Sequence, residues 1–300
     1  MPMFKPRYLT ALFLVALLAP HSYSRTDQFT PVVVSAFTAN ARPFLGTDAR
    51  VHIVYELIVT NTNPTPATPQ KIEVLDASDP SKVLASYCGQ ELLLRLRTTG
   101  GSAAAGPTIE CNGTRLVLID LSLYPATAVP DRLLHRFEVL AAPSPARKPT
   151  EPVLLSYTAA PLDISRNLRV IGPPLAGKRW VATNGCCAVG VHRASSLAIN
   201  GRIFFAQRFA IDWMRLDQAG RFVSGDPSDA LNYFSYGADV LAVADGTVVD
   251  TLNDLSDQKP GTLPDPKTIN VQNVDGNHVV LDLGDGIFAF YAHSKREWLP

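Results

Sequence analysis

Two sets of side chains in this sequence could carry chemistry: an imidazole and a carboxylate within residues 192–212, and four cysteines in two pairs. Residues 192–212 read as a β-hairpin about Asn200-Gly201, a dipeptide suited to tight hairpin turns. Ile203, Phe205, Phe209 and Ile211 are apolar at odd positions of the second strand, Arg208 and Asp212 are polar at even ones, and Leu197 and Ile199 extend the odd apolar set into the first strand. Keeping both apolar sets on one face requires odd to oppose odd, so Ile199 is expected opposite Ile203 across a three-residue loop. That register sets His192 opposite Ala210. Asp212 and Arg208 become its diagonal neighbours on the non-core face, about 7–8 Å away along the backbone. An imidazole and a carboxylate so placed can share a zinc ion; the plainer reading is a His and an Asp on a solvated face.

Cys88 and Cys111 flank a Gly/Ala-rich loop at 100–106. A disulfide between them would contribute about 3 kcal/mol by restricting the unfolded chain; the alternative is two free thiols. Cys186 and Cys187 are adjacent, a spacing at which an ordinary disulfide is strained. They read as loop thiols, as partners for the other pair, or as a vicinal redox switch. Four cysteines are too few for a disulfide scaffold and match no zinc-ribbon or zinc-finger spacing.

Four stretches occur in an order and rough spacing that resemble the lysostaphin-like and LytM-like zinc endopeptidases, which cut the peptide cross-links of bacterial cell walls. They are 207–213 (QRFAIDW), 236–249 (YGADVLAVADGTVV), 276–283 (GNHVVLDL) and 290–293 (FYAH). The resemblance implies an exported protein with a small β-barrel-like peptidase unit, often behind an N-terminal module. It also implies roles. Asp212 matches the family's zinc-binding Asp. His293 matches a catalytic His that does not bind the metal, acts as general acid/base and steadies the oxyanion beside the zinc-bound water. Arg208 stands where the family has a zinc-binding His, and arginine stays protonated with no lone pair to offer. His192, brought beside Asp212 by the expected register, is the candidate replacement, a substitution outside the family's pattern. His278 has no counterpart there, and its alternation with Val279 suggests a sheet surface.

Family members continue to a His-x-His motif that carries a further catalytic His and the third zinc ligand. Here the resemblance is lost over 294–299, and the expectation is a truncated unit with two zinc ligands at most, against the three of a catalytic site. The expected cofactor is therefore zinc, weakly held or absent. The expected partner is a peptidoglycan peptide or another extracellular peptide, with little or no hydrolysis. Two other readings stay open: a non-catalytic relative that binds cell-wall glycopeptide, and a β-sandwich envelope or adhesion protein whose second half is merely barrel-like.

The scaffold that must position these groups reads as β-rich. Runs at 32–37, 50–60, 71–75, 91–97, 115–121, 132–140 and 153–157 are β-like, with turn-rich segments between them. In the second run Val51, Ile53, Tyr55, Leu57 and Val59 alternate onto one face while His52, Glu56 and Thr60 mostly fill the other, the pattern of a half-buried antiparallel strand. The expected fold class is all-β: an immunoglobulin-like β-sandwich over 25–165, a linker at 166–183, and an incomplete lysostaphin-type sheet or barrel over 184–300. A length of 300 residues suits two domains, and 46% hydrophobic content provides each with a core, which excludes disorder as the main state. Basic and acidic residues balance at 27 each, so no net field draws the chain onto nucleic acid or anionic lipid. Lys5, Arg7, the apolar run 10–19 and the small residues Ser22 and Ser24 read as a signal peptide over 1–24. That apolar run is too short to span a bilayer, so the mature chain is expected to be periplasmic or secreted, without stable membrane insertion, where disulfides persist.

Overall fold

A computed structural model describes residues 27–143 and 151–297; with 43% strand and 6% helix, the fold is all-β. The expected signal peptide lies outside the described residues. The first half contains β1 (Val32–Ala36), β2 (Asn40–Ala41), β3 (Pro43–Leu45), β4 (Val51–Asn61), β5 (Thr68–Asp76), β6 (Asp79–Cys88), the helix α1 (Gly89–Arg95), β7 (Leu96–Arg97), β8 (Thr114–Leu123), β9 (Arg132–Ala141) and β10 (Val153–Ile164). They form two five-stranded sheets, one ordered β1-β4-β8-β7 with β3 added on β4, the other β2-β10-β9-β5-β6. Strands β4 and β8 are antiparallel, with Tyr55 opposite Ile119 and Leu57 opposite Val117. Their odd-numbered side chains meet Ile72, Val74, Phe137 and Val139 of the other sheet in one continuous core. Each large apolar side chain buried there contributes about 1.5–3 kcal/mol.

The structure corrects three local expectations in this half. Residues 91–95 are not strand, and only 96–97 pair as β7: 89–95 form α1, because three leucines without branching at Cβ favour helix and Glu91 lies 3.0 Å from Arg95 one turn on. Strand β6 was not expected, since its mostly exposed DPSKVLASYC carries no clean apolar alternation. Strand β4 is buried on both faces rather than one: Val54 and Glu56 are buried like the core set, and Arg193 and Arg208 of the second half cover Glu56.

That second half contains β11 (Trp180–Thr183), the single helical turn α2 (Val191–Ala194), β12 (Leu197–Ile199), β13 (Arg202–Phe204), β14 (Asp212–Arg215), β15 (Thr247–Leu252), β16 (Asn277–Asp282) and β17 (Phe288–Ser294). They make three small sheets, β11-β14, β12-β13 and β15-β16-β17, and among the described residues no barrel closes. Strand β11 occupies the end of the expected linker. The hairpin register also differs: Asn200 and Gly201 both have positive φ, 49° and 75°, and form a two-residue turn. A two-residue turn forces odd to oppose even, so Leu197 faces Phe204 and Ile199 faces Arg202. Turn geometry that matches the strand twist outweighs the side-chain parity here. Phe205 is nonetheless buried just past the end of β13, where it packs with Leu116 and Leu118 on the outer face of β8 and lies edge-on to Phe37 at 5.1 Å. This small apolar cluster docks the second half onto the sandwich.

Candidate functional site

Beside that apolar cluster the docking encloses three charges. Glu56, 0% exposed on β4, accepts from Arg193 Nη1 of α2 at 2.5 Å and from Arg208 through Nε at 2.8 Å and Nη2 at 2.5 Å. Arg193 is 2% exposed and also donates to the backbone oxygens of Tyr55 and Ile119 at 2.8 and 3.3 Å. Burial draws its pKa down from the usual arginine value, with Glu56 acting in the opposite sense. Arg208 is thus a docking residue. Its planar fork is taken up by a carboxylate of the other half, a bidentate geometry to which guanidinium is suited.

His192 and Asp212 do come together, by a different route from the one expected. His192 lies in α2, not in a strand, and Asp212 opens β14, where it pairs with Thr183 of β11. Between them stands Asn184, which takes a left-handed backbone conformation (φ 52°) directly after β11. Its backbone oxygen lies 3.0 Å from His192 Nδ1, and its side-chain amide donates to Asp212 Oδ2 at 2.6 Å. A carbonyl oxygen can only accept, so Nδ1 carries the proton and a neutral ring turns its Nε2 lone pair outward. That Nε2 is 3.4 Å from Asp212 Oδ1. Two electron-rich atoms so placed accommodate a proton or a cation between them, and a carbonyl holding the far nitrogen is the usual way a metal-binding imidazole is oriented.

Fit to a zinc centre is partial. His192 and Asp212 supply two donors, Arg208 supplies none and is engaged elsewhere, and no third His, Cys, Asp or Glu among the described residues joins the pair at metal spacing. His293 lies on β17 with a positive φ of 55°, exposed, and its backbone N–H donates to Asp275 O at 3.0 Å. Its side chain hydrogen-bonds neither His192 nor Asp212. His278, expected on a sheet surface, is 6% exposed instead: Nδ1 lies 2.8 Å from Gly276 O, and the ring sits edge-on to Phe290 at 5.3 Å.

A second group of polar residues surrounds a groove of about 670 Å³ lined by His52, Asp48, Asp120, Cys186 and Cys187. His52 Nδ1 is 3.0 Å from Asp120 Oδ1, and Nε2 is 3.2 Å from both oxygens of Asp48. Burial opposes the charged imidazole, but the two carboxylates outweigh it and raise the His52 pKa. Cys186 and Cys187 are joined to each other in a disulfide, while Cys88 and Cys111 are free and exposed. The adjacent pair is bonded where the loop-closing pair is not. Sequence reasoning singled out Cys186 and Cys187 but missed Asn184, Glu56, and the grouping of Asp48, His52 and Asp120 beside that pair. Asp48, four residues before His52 in a turn, was the one local hint.

No family model, curated protein or solved structure matches this chain, so the likeness to lysostaphin-type enzymes rests on the four motifs themselves.

Proposed function

We propose that the protein is exported and acts at bacterial peptidoglycan as a relative of the lysostaphin-type zinc endopeptidases, binding cell-wall peptide with little or no hydrolysis of its own. The observation that carries this reading is the oriented His192–Asp212 pair: an Nε2 lone pair facing a carboxylate at 3.4 Å, with Asn184 holding the far side of each group. In this reading the pair is a partial metal site. Zinc, when bound there, would supply polarisation of a scissile carbonyl; His192 and Asp212 would hold it, and His293 is the family's general acid/base. A catalytic zinc takes three protein ligands, and each one lacking removes a large share of the binding free energy, so zinc is held weakly.

The test uses the purified 300-residue chain with isolated cell-wall sacculi. Co-sedimentation with sacculi, weak zinc uptake that Asp212→Ala removes, and negligible release of cross-link peptides are expected. Absence of co-sedimentation overturns the cell-wall assignment. Stoichiometric zinc at micromolar concentration together with cleavage that Asp212→Ala abolishes overturns the claim of weak activity.

A further inference from the structure

Among the described residues, three potential metal donors cluster in the other groove and draw on both halves of the chain. His52 comes from β4, Asp120 from β8, and Cys187 from the segment between β11 and α2. One donor atom from each lies within 4.8 Å of the other two. Tetrahedral zinc with bonds of about 2.0–2.3 Å sets its ligand atoms roughly 3.3–3.8 Å apart, so small side-chain movements suffice to close this trio around an ion. Asp48 already sits on the second ring nitrogen at 3.2 Å, the place where a carboxylate orients a metal-binding imidazole. The groove in front leaves a fourth position to water.

We propose that His52, Asp120 and Cys187 form a thiol-gated site for a borderline-soft divalent cation such as zinc, closed while Cys186 and Cys187 are joined and opened by their reduction. The idea is independent of the His192–Asp212 reading and uses none of its residues. In the joined state the Cys187 sulfur is bonded to Cys186 and is a poor ligand, which leaves one nitrogen and one oxygen. An external dithiol supplies two electrons and two protons, becomes its own cyclic disulfide, and leaves two thiols on the protein. Cys187 then releases its proton to solvent and binds the cation as thiolate. The His52 nitrogen facing Asp120 presents its lone pair, with its proton also released, and Asp120 turns one oxygen from the ring to the metal. The sulfur–nitrogen–oxygen donor set suits zinc and excludes magnesium or calcium, which take oxygen ligands.

The experiment uses the full chain in a Cys88→Ser/Cys111→Ser background, so that no other thiol contributes. The oxidised protein, and protein reduced with a phosphine that is then removed, are titrated with zinc by calorimetry and with cobalt(II) in the absorption spectrometer. Reduced protein is expected to bind one zinc at least a hundredfold more tightly than oxidised protein and to show a thiolate-to-cobalt charge-transfer band. Cys187→Ser should abolish that band. Cys186→Ser, which leaves Cys187 as a permanent thiol, should bind without any reductant, and Asp120→Asn should weaken binding at least tenfold. Circular dichroism checks each variant's fold; because Cys186→Ser removes the gate and keeps every ligand, its failure to bind while folded overturns the proposal. Equal affinity in the two redox states, or a thiolate band that survives Cys187→Ser, overturns it as well.

Discussion

Glu56→Gln is the substitution that most directly tests what holds the two halves together. The carboxylate accepts three hydrogen bonds from two arginines in a place where it is 0% exposed. Gln keeps the shape and one acceptor oxygen but removes the charge, and its amide then meets an arginine N–H with donor against donor. Arg193, 2% exposed, keeps the carbonyls of Tyr55 and Ile119 yet loses its counter-charge. Breaking a buried pair from one side costs about 3–5 kcal/mol, because the remaining charge stays desolvated and unpaired. With a urea dependence of about 2 kcal/mol per molar, the midpoint should fall by roughly 2 M. All three tryptophans, Trp180, Trp213 and Trp298, lie in the second half, so their fluorescence reports on that half alone while circular dichroism follows the whole chain. Fluorescence should therefore shift to lower urea ahead of circular dichroism. The triple replacement of Glu56, Arg193 and Arg208 by Met should cost far less than Glu56→Gln, since apolar groups of similar volume leave no orphaned charge. A cost below about 1 kcal/mol for Glu56→Gln, or a triple variant as unstable as the single, would refute the reasoning.

Four further outcomes can be measured with the same protein. Buried His135 donates from Nδ1 to Ala160 O at 2.7 Å and accepts from the Tyr55 hydroxyl at 2.8 Å, and burial first of all lowers its pKa from 6.5 to about 4. The unfolded chain thus binds the extra proton more readily, so this stability is complete above pH 6.5 and is lost as pH falls toward 4, by about 3 kcal/mol at 1.36 kcal/mol per pH unit; urea midpoints that stay level between pH 7 and pH 4.5 would contradict it. Asn184→Ala removes the amide that holds Asp212 while the backbone carbonyl facing His192 remains, and should weaken any zinc binding by about 10–100-fold, read by calorimetry. Gly101→Ala should destabilise the docked state by more than about 1 kcal/mol, because φ is +85° there and the new methyl would lie 2.3 Å from Ala194 O. Arg208→His should lower the Trp-detected urea midpoint without tightening zinc binding, since residue 208 points at Glu56.

The sandwich strands were legible in the sequence because a sheet face buried against another sheet demands apolar residues at every second position, and β4, β8 and β9 largely meet that demand, with Asn61 and His135 as buried polar exceptions. Strand β6 was not, since an edge strand with most side chains in solvent needs no such pattern. The run at 91–95 shows the opposite failure: its apolar content was visible, but leucines without branching at Cβ and an i,i+4 ion pair tip it to helix, which periodicity alone does not weigh. At the candidate sites, His192 and Asp212 were named from residue type and found adjacent, yet the hairpin argument that joined them failed at Asn200-Gly201. What brings them together is one left-handed asparagine, and no two-stranded pattern announces it. The His52 group was out of reach for a simpler reason: His52 and Asp120 are 68 residues apart, Cys187 is farther still, and only tertiary docking unites them.

Arg208 links these threads. By resemblance its position belongs to a metal-binding imidazole, a small neutral donor that can turn toward Asp212 without needing an anion of its own. A guanidinium in that place is always charged, and enclosing it at 20% exposure requires a carboxylate with matching geometry. Glu56 meets that need from the other half of the chain, on a strand face that the sequence pattern alone assigns to solvent. The two residues are complementary: without Glu56, Arg208 would lose its carboxylate, and without Arg208, Glu56 would keep only Arg193, so together they make an anchor at a position that by resemblance belongs to a metal ligand. In the proposed reading a metal at Asp212 would have only His192 to join it from α2, while the firm connection between the halves runs through Glu56, Arg193 and Arg208, at the place where Phe205 packs on β8.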